Sequence, residues 1–255
     1  MILLASLPLV LMAAPALAQP VVLDATGTFT NEEQVYFDGE AGRTPPPWTG
    51  VRIEARGDAL VWQRIDRFGT VLTSETIVPT PTGWTIGPCM LTARKDADGS
   101  TSFLPAATGC SGRPLPVRLD AQGLTLRLAD GQQTSLRRAR PVTCWMSVRR
   151  SAPKPDGSED WLFQADMKTH DQGGRLRLGG GDSGAPEAII RIRNVVWPPP
   201  TRNRPSIVLY VFTPDDLDRA VAYGWADPGA VRVGINQRWM QASCTLASFT
   251  LNGAE

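Results

Sequence analysis

The chain is predicted to be all-β, an assembly of antiparallel sheet with two short helices. Three observations carry this. Apolar and polar residues alternate with a period of two, Gly, Asp and Pro interrupt the alternation at hairpin spacing, and only two stretches carry helix signals.

Val51, Ile53 and Ala55 alternate with Arg52, Glu54 and Arg56, and Gly57-Asp58 turns the chain into Leu60-Val61-Trp62-Gln63-Arg64-Ile65. That is a hairpin. Leu124, Leu126 and Leu128 alternate with Thr125, Arg127 and Ala129, and Asp130-Gly131 is a strong two-residue turn signal. Further on, Ile190 and Ile192 alternate with Arg191 and Arg193, and the apolar run Ser206–Phe212 suits a central strand.

The first helix starts after Asn31 and runs through Glu32, Glu33, Gln34 and Tyr36. The Asn31 side chain can accept orphan amides, and the two glutamates suit the positive helix end. The second begins at Thr213-Pro214-Asp215-Asp216, continues through Leu217, Ala220 and Val221, and stops at Gly224. Residues 149–160, with Ser151, Pro153, Pro155 and Gly157, have the composition of a linker or long loop. A boundary is expected there, between residues 19–148 and residues 161–255. It separates either two domains or two parts of one sheet.

Residues 1–18 read as a secretory signal peptide. The apolar stretch from Ile2 to Pro15 ends at Ala16-Leu17-Ala18, a small-x-small cleavage pattern, and it falls short of the roughly 20 residues that span a bilayer. No Lys or Arg precedes it, which departs from the usual signal. Cleavage after Ala18 predicts a periplasmic or extracellular protein, and no later segment is apolar enough to cross a membrane.

Export gives the four cysteines a meaning. An even number in an oxidising compartment predicts two disulfides. Of three possible pairings, Cys89–Cys110 with Cys144–Cys244 is favoured, because the first pair flanks one short hairpin-like segment. A metal site is not expected: there is no C-x-x-C spacing, and His170 is the sole histidine. No cofactor is expected either. The formal net charge of +1, from scattered arginines with Lys only at 95, 154 and 168, argues against a nucleic-acid partner held by counterion release.

Gly181-Asp182-Ser183-Gly184-Ala185-Pro186 is similar to the nucleophile segment of trypsin-like serine proteases. A triad would need a histidine base oriented by a carboxylate, and His170 precedes Ser183 by only thirteen residues, unlike that family. No catalytic residue is assigned. His170-Asp171 is the remaining base-and-orienter pair, and Asp96-Ala97-Asp98-Gly99-Ser100 is calcium-loop-like without the closing glutamate. The latter reads as a hairpin turn. The eight tryptophans, at 48, 62, 84, 145, 161, 197, 225 and 239, are expected mostly in the core, with some lining a ligand cavity as the alternative.

The stretch Thr26-Gly27-Thr28-Phe29-Thr30-Asn31-Glu32-Glu33-Gln34 resembles the opening of the CpcT/CpeT chromophore lyase family of phycobiliprotein assembly. Trp62-Gln63-Arg64-Ile65-Asp66 is similar to that family's arginine-bearing strand, and Cys89 to Cys110 to its Cys, Gly-rich hairpin, Cys segment. The resemblance covers residues 25 to 140. It implies a calycin-like, lipocalin-type antiparallel barrel around a ligand cavity, with Asn31 and Gln34 bracing the mouth. Trp62 would stand where the family has tyrosines, and Arg64 would face the cavity to hold a propionate.

The leading functional expectation is an exported, non-catalytic barrel protein that binds a small apolar, tetrapyrrole-like or anionic ligand. A second is a structural or interaction protein of the cell envelope, with an envelope protein as partner. A third is a bilin lyase, as the resemblance implies.

Overall fold

The computed structural model describes residues 25–106 and 108–247, so the proposed signal peptide lies outside the described residues. Ten strands form a closed barrel: β1 (Gly27–Thr30), β2 (Gly50–Arg56), β3 (Ala59–Ile65), β4 (Val71–Thr80), β5 (Gly83–Ile86), β6 (Cys89–Lys95), β7 (Thr101–Pro105), β8 (Leu115–Leu119), β9 (Gly123–Arg127) and β10 (Gln133–Ala139). Strands β2 to β10 meander, each beside its predecessor, and β1 closes the ring between β2 and β10. Every neighbouring pair is antiparallel, which an even strand number permits.

The alternation read from the sequence is the inward row of this barrel. Ile53 opposes Trp62, and Leu124 opposes Leu136. Phe29, Leu60, Ile77, Trp84, Leu91, Phe103 and Leu126 fill the interior with them, and Trp84 lies 4.4 Å from Phe103 between ring centroids. The hairpin aspartates accept amides of their own turns: Asp66 from Phe68 and Thr70, Asp98 from Ser100, Asp120 from Gln122 and Gly123, and Asp130 from Gln132. The Asp96–Ser100 stretch is therefore a turn, as its missing glutamate suggested.

The rest of the described chain makes two four-stranded antiparallel sheets. One has the order β12 (Trp161–His170), β11 (Pro141–Arg149), β18 (Met240–Leu246), β17 (Arg232–Asn236); the other runs β13 (Gln172–Leu178), β14 (Ala188–Val195), β15 (Ser206–Phe212), β16 (Ala222–Ala226). Val142, Met146, Met240 and Ala242 of the first share one core with Leu176, Ile190, Ile192, Leu209 and Val211 of the second. This is a sandwich.

Only Arg140 separates β10 of the barrel from β11 of the sandwich. Residues 150–160 instead join β11 to β12 within one sheet, so the architecture changes about ten residues before the loop that suggested a boundary. Both expected disulfides are present. Cys89–Cys110 ties the start of β6 to the loop after β7, and Cys144–Cys244 joins register partners on β11 and β18. They are consistent with an oxidising, exported environment.

One α-helix is described, α1 (Glu32–Glu40), not two. The second expected helix is a turn and a strand. Asp216 accepts the amides of Asp218 and Arg219, Val221 N–H donates to Val211 O, and Gly224 sits inside β16 opposite Leu209. Asp and Pro suit a turn as well as a helix start, and pairing with β15 decides between them. The tryptophans also depart from expectation. Only Trp62 and Trp84 are buried, Trp225 is exposed, and the other five are half-buried, because so large a side chain seldom fits wholly inside.

Candidate functional site: a buried arginine cluster between barrel and sandwich

Helix α1 leaves β1 at the end of the barrel that meets the sandwich. Thr30 Oγ1 donates to the Gln172 carbonyl at 2.8 Å and accepts the Glu32 amide at 3.3 Å, which sets the first helical turn against β13 and β14. The expected cap is not formed. Asn31 Oδ1 accepts the Thr49 amide at 2.7 Å, and Nδ2 donates to the Pro47 carbonyl and to Thr134 Oγ1, so Asn31 ties strand ends together.

Two glutamates that would ordinarily be solvated are thereby buried against arginines. Glu33 Oε1 accepts Nε and Nη2 of Arg193 at 2.9 and 2.7 Å, and the wholly buried Arg193 guanidinium lies 3.6 Å from the Tyr36 ring centroid. Glu32 Oε2 accepts Trp48 Nε1 at 2.9 Å and lies 3.7 Å from Arg67 Nε, while Glu32 Oε1 accepts Arg191 Nη1 at 3.4 Å. Gly173 makes this close fit feasible. Its φ is +81°, and a Cβ there would stand 2.3 Å from Glu32 Cγ.

Arg175 and Arg191 are register partners on the face of their sheet turned away from the sandwich core. The Arg175 amide donates to the Arg67 carbonyl at 2.9 Å, anchoring the barrel's Asp66–Thr70 turn. The guanidinium carbons of Arg175 and Arg191 lie 5.6 and 5.0 Å from the Phe212 ring centroid, and that of Arg191 lies 4.7 Å from Tyr210. Four guanidiniums, of Arg67, Arg175, Arg191 and Arg193, thus face two buried carboxylates. Among the described residues, Nε of Arg67, Arg175 and Arg191 and Nη1 of Arg193 are buried without a hydrogen-bond partner.

The proton affinities in the cluster follow burial first, although Arg193, held by Glu33, is raised. Burial first, then the neighbouring Arg191 and Arg67 charges, push Arg175 down to about 10, and Arg191 is lowered by burial although Glu32 opposes the change. Burial pushes the Glu33 carboxyl above its ordinary value against the pull of Arg193. Such a site is short of negative charge, although Glu33 Oε2 is a buried acceptor that also has no partner among the described residues.

The other candidate pairs are not assembled for catalysis. Asp171 accepts Arg140 N at 2.8 Å and Nε at 2.7 Å; it does not orient His170, whose two ring nitrogens are buried without a hydrogen-bond partner among the described residues. Burial, with the Arg52 charge adding to it, pushes His170 down to about 4. Ser183 lies in a single 3₁₀ turn and exchanges hydrogen bonds with Ala185. Strand β13, roughly 20 Å long at 3.3 Å per residue, stands between Ser183 and His170.

Asn31 and Gln34 converge as a pair on Thr134 of β10, with Gln34 Oε1 accepting its hydroxyl at 3.4 Å. Trp62 is inside the barrel. Arg64 continues its inward row by register but stands exposed at the end of β3, opposite Val51 and Thr73. The sequence did not single out Arg175, Arg191 or Arg193. Arg191 and Arg193 alternate with Ile190 and Ile192 in the manner of a solvated sheet face, which α1 covers, while the Asp66–Thr70 turn meets Arg175.

Comparison with protein-family models, curated proteins and solved structures returned no match to this chain.

Proposed function

We propose that this chain is an exported, non-catalytic binding protein whose ligand is a small anion received at the arginine cluster between barrel and sandwich. One observation carries the reading: the guanidiniums of the cluster outnumber the carboxylates they face, and each has a buried N–H group without an acceptor among the described residues. Leaving buried donors unpaired costs about 1–3 kcal/mol each, so a carboxylate, sulfate or phosphate that fills those positions is stabilising. The repulsion from Arg191 and Arg67 that adds to the lowering of Arg175 is relieved by an added negative charge. A calycin-like barrel with a ligand held by Arg64 is the competing reading. It draws support from the sequence resemblance and from the inward register of that residue.

The test is thermal unfolding of the secreted chain titrated with sodium sulfate and with succinate, at constant ionic strength. A site with a hundredfold excess of anion over Kd adds about 2.7 kcal/mol to stability. The stabilisation is expected in the wild type and in Arg64→Gln, and is expected to be lost in Arg191→Gln and in Arg175→Gln. No anion-dependent shift, or one abolished by Arg64→Gln instead, would overturn the assignment.

A further inference from the structure

The arginine pair is the buried end of a row that crosses its whole sheet. Arg175 of β13 opposes Arg191 of β14, Arg191 opposes Tyr210 of β15, and Tyr210 opposes Tyr223 of β16. Side chains at directly opposed positions share a face, so the four form one rung about 14 Å long at the usual strand spacing. The next rung places Arg193, Val208 and Trp225 side by side. Exposure rises steadily along the rung: the arginines are buried, Tyr210 is half-buried, and Tyr223 and Trp225 are 68% and 73% exposed. The rings are continuous, with Tyr210 and Tyr223 centroids 6.5 Å apart and the Arg191 guanidinium 4.7 Å from Tyr210.

Resting on the anion reading above, we infer that the ligand is an acidic saccharide, an oligosaccharide carrying at least one uronic-acid carboxylate. Its sugar rings lie on Trp225 and Tyr223, and its carboxylate reaches Arg191 and Arg175. A pyranose ring presents an apolar C–H face that suits an exposed aromatic plane, while its hydroxyl edge needs the donors and acceptors that tyrosine hydroxyls supply. The carboxylate takes the unpaired guanidinium N–H groups. Charge around the aromatics favours this occupant over a polyphosphate or an anionic bilayer. Asp218 borders Arg175, and Asp227 directly follows β16. Carboxylates there accept hydrogen bonds from sugar hydroxyls, donors that a polyphosphate does not carry.

The experiment is calorimetric titration of the secreted chain with trigalacturonic acid, and with a neutral galactose trisaccharide of the same length. Trigalacturonic acid is expected to bind at least tenfold more tightly than the neutral sugar and more tightly than sulfate. Trp225→Ala, which alters an exposed side chain, is expected to weaken trigalacturonic acid at least about tenfold while leaving sulfate-induced stabilisation unchanged. Arg191→Gln is expected to abolish the preference for the acidic sugar. Equal binding of acidic and neutral sugars, indifference to Trp225→Ala, or tighter capture by phosphatidylglycerol vesicles or single-stranded DNA would each overturn the inference. Sulfate stabilisation without preference for trigalacturonic acid would overturn this inference alone, and absence of both responses would overturn the anion reading as well.

Discussion

Acidification from pH 7 to pH 4 charges His170 in the unfolded chain long before it charges it in the folded one. Burial and the Arg52 guanidinium hold the folded imidazole at about 4, against 6.5 for an ordinary histidine, so folding selects the neutral ring. The folded value is depressed, so the stabilisation is complete above pH 6.5 and is lost as pH falls toward 4. Linkage between those two values removes about 2 kcal/mol by pH 5 and about 3 kcal/mol by pH 4. Urea unfolding of wild type and His170→Leu at pH 7, 6, 5 and 4 isolates this contribution, because both proteins share every other titrating group. Leucine is of similar volume and removes two ring nitrogens that lack hydrogen-bond partners, so the substitution is expected to cost little at pH 7. The wild type is expected to fall relative to the variant by the stated amounts. Parallel pH profiles would show that the ring reaches solvent or a partner, and would refute the reasoning.

Three further outcomes follow from the junction and the cross-links. Glu33→Ala leaves Arg193 buried beside Tyr36 without its carboxylate and is expected to cost about 3–5 kcal/mol in urea unfolding; Glu33→Leu combined with Arg193→Met is expected to recover most of this. Gly173→Ala forces a Cβ into Glu32 and is expected to destabilise the chain by more than the ~1 kcal/mol of an ordinary glycine replacement, whereas Gly131→Ala, with open space around it, is expected to show only the cost of its positive φ. Replacing both Cys144 and Cys244 by Ala is expected to lower stability more than replacing Cys89 and Cys110, about 4–5 against about 3 kcal/mol on loop length, given sequence separations of 100 and 21. Equal losses would argue that loop length does not control the effect.

Local patterns in the chain specify what depends on near neighbours. The hairpin across Gly57-Asp58 and the one across Asp130-Gly131 form where their turn residues place them, and the alternating leucines and valines face the barrel interior as written. The two disulfides follow from cysteine number and from the short segment between Cys89 and Cys110. The arginine cluster is a different case. Arg191 and Arg193 occupy polar positions of a half-buried strand, and nothing within ten residues of them tells that α1, more than 150 residues earlier, covers that face. Burial of Glu32 and Glu33 is unreadable for the same reason, since the helix-start pattern of Asn31, Glu32 and Glu33 is equally satisfied on a solvated surface. Thr213–Gly224 misleads because turn and helix-start residues overlap, and only pairing of Ala222–Ala226 with β15 resolves them.

The cross-link between Cys144 and Cys244 also governs how the chain would respond to tension. A pull applied beyond Leu246 passes through Cys244 to Cys144 on the adjacent strand, and from there through Val142 and Arg140 into the barrel. The segment between the two cysteines, which contains Arg175, Arg191, Tyr210 and Trp225, lies outside that line of force. A tether to a moving surface could therefore strain the barrel while the proposed binding face kept its shape, and reduction of this one bond would bring the whole loop under load.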